Sequence, residues 1–149
     1  MAKNILEGLP ADLAGQVERA TDAEKRAICL AICKGVTAIT RLDEPVIGQA
    51  LRSLVDGSYG DPVLAASVEH LVEQLDDRYF AAQRRYHEGK EDEVVYRDLF
   101  RKARAANAVL FALNHDPFVA ATHSVYETYA ALGESETQSL INDGISGKN

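Results

Sequence analysis

Tryptophan is absent from this chain of 149 residues, proline occurs only four times and glycine only ten. So few chain breakers, set against abundant Ala, Leu, Glu and Arg, argue against the short strands and frequent turns of a sandwich or barrel and favour helix. Cysteine is scarce as well. Cys29 and Cys33 stand four apart in "AICLAIC", which is neither the CxxC of redox proteins nor half of a zinc site, so buried and reduced thiols are expected. No apolar run approaches the roughly 20 residues that a membrane span needs. The opening "MAKNILEGLPADL" lacks the apolar segment and small-residue cleavage site of a secretory signal, and the expected compartment is therefore the cytoplasm. Phosphate-cradling GxxxxGK and GxGxxG patterns do not occur. Nor does the Glu-x-x-His spacing of helical di-metal sites. These absences remove the simplest nucleotide-binding, metal-binding and membrane readings, and no cofactor is expected.

What is present is apolar periodicity close to 3.6 along most of the chain, with enough apolar material, 46%, for one continuous core. A first helix is expected from about Asn4 to Ala20 on Leu6, Leu9, Leu13 and Val17, with Pro10 able to split it. Thr21 and Glu24 match a capping box and open a helix that turns Ile28, Cys29, Ile32, Cys33, Val36 and Ile39 inward. Asp43 and Pro45 open the next, and "DGSYGD" at 56 to 61 ends it. Leu64, Val68, Leu71, Leu75 and Tyr79 mark a long helix to about His87. After the turn "EGKED" a second long helix runs to about Leu113, inward through Val95, Leu99, Ala103, Ala106 and Leu110. So short a turn between long helices favours an antiparallel pair. Phe118, Thr122, Val125, Tyr129 and Leu132 mark another helix, ended by Gly133, and Ser135 with Gln138 cap a last short one to about Asn142. The expected fold is all-α: an irregular antiparallel bundle of six or seven helices, a single domain over 1–143 with a frayed tail at 144–149.

Two stretches read almost as copies, "DPVLAAS" from Asp61 and "DPFVAAT" from Asp116. Aspartate before proline is a helix-start device, because the pre-proline residue is pushed to extended geometry and proline at the first helical position forfeits no bond. The alternative is a short HEAT-like array with "DEPVIGQAL" as a third copy, but the prolines at 45, 62 and 117 keep no fixed period.

Charge is unevenly spread. The net charge is −7, yet residues 78 to 104 hold 8 basic and 5 acidic side chains. In that block Arg97 and Arg101 lie among Tyr79, Tyr86, Tyr96 and Phe100, the residue types of a single-strand nucleic-acid surface. Glu93 four before Arg97 and Asp98 four before Lys102 predict intrahelical pairs that blunt this surface, and nucleic acid is not the expected partner. Glu69, Glu73 and Asp76, with Asp77 beside it, form an acidic stripe suited to a basic protein surface, and together with Arg97 and Arg101 they are the expected partner-binding residues. A third candidate place is His123 with Tyr126, Glu127 and Tyr129, because His and carboxylate one turn apart can form an acid/base pair or part of a metal site. Asn107 belongs with it, as a polar residue on the otherwise apolar stripe of Tyr96, Phe100, Ala103 and Phe111. The function expected from these features is protein–protein binding by a small acidic helical protein. It would resemble in manner an immunity-type or antitoxin-type inhibitor of a basic toxin, or an adaptor. A ligand or metal pocket near His123 and nucleic-acid binding through 78–104 are the rivals, and no catalytic residue is assigned.

Overall fold

Local chemistry sets most helix boundaries in the computed structural model, which describes residues 5–147. The expected start at Asn4 and the last residues of the tail, Lys148 and Asn149, lie outside the described residues. Pro10 does split the first element, into a 3-10 turn at Ile5–Gly8 and α1 at Ala11–Arg19. The capping box forms: Thr21 Oγ1 accepts from the Glu24 amide at 3.1 Å, and Glu24 Oε1 accepts from the Thr21 amide at 2.9 Å. It opens α2, Asp22–Thr40. α3 is Pro45–Asp56 and begins after Glu44, which makes no side-chain cap; Asp43 is one residue too early for that role.

The two Asp-Pro copies behave alike. Asp61 Oδ1 accepts from the amides of Val63 and Leu64 to start α4, Pro62–His87. Asp116 Oδ1 accepts from Phe118 at 2.9 Å and Val119 at 3.5 Å to start α6, Pro117–Leu132. Between them α5 spans Glu93–Ala112. α7 is Glu134–Ser146 and starts from Gly133, not from a cap at Ser135. It also outlasts the expected end at Asn142, so the proposed fray point at 144 is helical.

Side-chain contacts give the directions. Asp76 meets Arg104, Tyr79 meets Phe100 and Tyr86 meets Tyr96, so α4 and α5 are antiparallel. Glu127 meets Arg104 and His123 meets Phe111, which runs α6 antiparallel to α5. The Cys33 thiol reaches the Ala108 carbonyl at 3.8 Å, and Arg26 donates to the Ala112 carbonyl at 3.3 Å, which runs α2 antiparallel to α5 as well. α2 thus touches α5, α6 and α7 far along the chain. An array in which each unit meets only its sequence neighbours does not do this, and the HEAT-like alternative is set aside for an irregular bundle.

Small residues make the centre possible. Ala103, Ala105, Ala106 and Ala108 of α5 and Ala120 and Ala121 of α6 are fully buried, and interaxial distance shrinks with the side chains at the contact. Gly144 does the same for α7: a Cβ there would stand 2.9 Å from the Ile28 Cα and 3.0 Å from the Ala27 carbonyl oxygen. Cys29 and Cys33 lie in this core as free thiols. Burial pushes Cys29 up to about 11 and Cys33 well above the usual thiol range. Two residues expected inside are not: Ile39, at the end of α2, and Val95, at the start of α5, are 46% and 39% exposed.

Candidate functional site

The most organised polar cluster joins α4, α5 and α6. Arg104 Nη1 donates to both Glu127 oxygens at 3.1 Å, and Nη2 donates to Asp76 Oδ1 at 3.1 Å. The Asn107 amide donates to Glu127 Oε1. Glu127 is buried, and Arg104 and Asp76 are half-buried. A carboxylate brought under protein is costly unless paired, and here one guanidinium nitrogen, bonded to both oxygens, and one amide satisfy Glu127. Glu127 is thereby engaged as an acceptor by both Arg104 and Asn107. Arg104 Nε and Thr128 Oγ1 are buried without a partner among the described residues.

His123 does not pair with Glu127 as the spacing suggested. Its ring stacks on Phe111, with centroids 4.4 Å apart at 27°, while Glu127 turns to α5. Desolvation holds the imidazole below its ordinary pKa, against the pull of the nearby Glu127 charge. Tyr126 rests on Gly8, where a Cβ would approach its Cε2 to 2.7 Å, and Tyr129 packs against the core. Of the expected pocket residues, Asn107 and Glu127 are thus brought together in a direct hydrogen bond, with Arg104 bonded to the same carboxylate. No group of three or more His, Cys, Asp or Glu side chains able to hold a metal occurs among the described residues.

The basic block becomes an arm made of the end of α4 and the start of α5. Tyr79 lies 5.4 Å from Phe100 and 6.1 Å from Tyr96, and Tyr86 lies 5.1 Å from Tyr96. These rings staple the two helices to each other instead of offering free faces to bases. Arg97 pairs with Glu93 at 3.1 Å and Lys102 with Asp98 at 3.2 Å, while Arg85 pairs with Glu91 and Lys90 with Glu88. Arg78, Arg84 and Arg101 are exposed and make no ion pair among the described residues.

The outer face of α4 is different in kind. Glu69, Glu73 and Asp77 are exposed and have no ion pair among the described residues. Asp76, placed with them by its spacing, instead turns inward to Arg104. On the same face, three and seven residues past Asp77, stand Phe80, 52% exposed, and Arg84. Beside it an open groove of about 420 Å³ runs between Glu44 at the start of α3 and Leu71, Gln74 and Asp77 of α4.

Sequence reasoning missed two residues that matter here. Arg104 was read only as one more charge in a basic block. Its signal was position, three residues before Asn107 on the stripe that leads into the alanine-rich half of α5. Phe80 was overlooked because an aromatic after Tyr79 reads as core; its spacing of seven from Glu73 puts it outside. Comparison of the chain with protein-family models, with curated proteins and with solved structures finds no match.

Proposed function

We propose that this chain works as a protein-binding module and that the outer face of α4 is its docking surface, recognising a basic surface. The observation that carries the reading is the unpaired, exposed stripe of Glu69, Glu73 and Asp77 on a rigid helix, in a protein whose other ionic groups on α5 are largely paired. Unpaired like charges one turn apart cost a helix a few tenths of a kcal/mol, roughly, and they speed encounter with and restrict the choice of an oppositely charged partner. Inhibition of a basic toxin, in the manner of immunity or antitoxin proteins, and a role as an adaptor are the forms of binding that size and charge suit. The pocket reading is weaker because Arg104 occupies the space near Glu127. The nucleic-acid reading is weaker because the arm's rings are spent on one another.

The test is capture of interacting proteins from native cells by the tagged chain at low and high salt, beside the Glu69→Lys/Glu73→Lys variant. A stoichiometric partner held by the parent chain and lost by the variant supports the reading. Equal capture by both chains rejects the α4 face.

A further inference from the structure

The α4 face is not uniformly acidic. Its first part carries Glu69, Glu73 and Asp77, all exposed; its last part carries Arg84, also exposed and unpaired among the described residues. Phe80 lies between them with 52% of its surface in solvent. At about 1.5 Å rise per residue the stripe from Glu69 to Arg84 is roughly 22 Å long, enough for a helix–helix contact. A foreign partner that is basic throughout would meet repulsion at the Arg84 end. A surface whose charge changes sign half-way, with an apolar anchor at the change, is complementary to its own reverse.

We propose that the partner of this face is a second copy of the chain, with the two α4 helices packed antiparallel about a two-fold axis close to Phe80. The proposal rests on α4 being a docking surface. Such an interface is isologous, each contact occurring twice. With the axis beside Phe80, the two phenyl rings meet across it, and Arg84 of each copy lies level with the gap between Glu73 and Asp77 of the other. Aromatic anchors near the centre of an interface, ringed by polar contacts, carry most of its binding energy, and Phe80 holds that place. The end of α4 then lies level with Glu73 and Asp77 of the partner, which covers that part of the acidic stripe. Any basic third protein would compete with this contact.

The experiment is sedimentation velocity of the purified full chain over a range of concentrations at low and high salt. A reversible dimer that weakens with salt is expected. Phe80→Ala should weaken it on the order of tenfold or more, and Glu73→Arg or Arg84→Glu alone should weaken it as well. All three positions are exposed, and unchanged helicity by circular dichroism verifies the fold of each variant. The decisive readout is exchange: Glu73→Arg chains mixed with Arg84→Glu chains should form a heterodimer tighter than either homodimer, because both 73–84 pairs are then of opposite sign, whereas in each homodimer both are of like sign. A chain that stays monomeric throughout overturns the proposal, as does a dimer indifferent to these changes. Should a monomeric chain still capture a basic protein through Glu69 and Glu73, the docking face stands and only its identification with a second copy falls.

Discussion

From Ala103 to Ala112, α5 buries Ala103, Ala105, Ala106, Ala108, Val109 and Ala112, whereas from Glu93 to Lys102 it buries only Leu99. The two halves belong to one uninterrupted helix. In the second half α2, α4 and α6 close around small side chains, and the only large polar groups, Arg104 and Asn107, are tied to carboxylates of neighbouring helices. In the first half α5 has one substantial neighbour, the end of α4, and the pair is held by ring contacts and surface ion pairs. Core packing and surface pairing are thus divided along a single helix. Tolerance to substitution should change where Arg104 stands.

The largest effect should come from breaking the ionic cluster in the body. Arg104→Met leaves Glu127 and Asp76 without their cation, and should cost about 3 kcal/mol in urea unfolding with an unchanged m-value. Replacing Glu127 by Leu in the same chain should recover a good part of that loss, since an apolar set can substitute for a buried ionic one. A cost near zero for Arg104→Met would erase the contrast drawn between the halves. Gly144→Val should come next, at about 2 kcal/mol, because its Cβ meets the backbone of α2 and backbone yields little. Thermal unfolding measures it.

In the arm the same kinds of change should act locally. Tyr79→Ala removes ring contacts to Phe80, Tyr96 and Phe100, each worth about 0.5–1.5 kcal/mol. Amide hydrogen exchange should then quicken at Arg84 and Arg97 while Val109 keeps its protection, as expected when one part opens without the whole. Equal loss at Val109 would show that arm and body unfold as one unit. The pH dependence at His123 sharpens the contrast from the body side. Its pKa is lower folded than the ordinary 6.5, so the unfolded chain binds the proton more readily. The stabilising effect of the neutral ring is present above the unfolded value and is lost as pH falls through the folded one. His123→Gln should flatten the decline in stability across that range, read from urea midpoints at successive pH values. The smallest effect should be Glu93→Ala, which removes an exposed pair with Arg97 and should change stability by about 0.3 kcal/mol.

Much of this fold was legible in the sequence. Apolar spacing located the α-helices, the Thr21–Glu24 box and the two Asp-Pro starts supplied caps that form as read, and the short turn after α4 implied an antiparallel neighbour. The failures share a cause. Ile39 and Val95 carry the right spacing for the core, but each stands at an end of its helix and stays exposed. Ser135 and Asp43 have the right chemistry for caps, but α7 and α3 begin elsewhere. Asp76 lies one residue from Asp77 and within one turn of Glu73, yet it turns inward because Arg104 comes within 3.1 Å of it. His123 lost its expected partner because Glu127 found a cation and an amide on α5.

Helicity, most helix boundaries and the division of charge between an acidic and a basic part could be read from residue order alone, because each depends on residues within a turn or two of one another. Which charges are neutralised and which stay free emerged with the assembled helices. That choice turns on which helices meet, and the alanines and glycine that let α2, α5, α6 and α7 approach closely carry no chemical signal of what they will bring together.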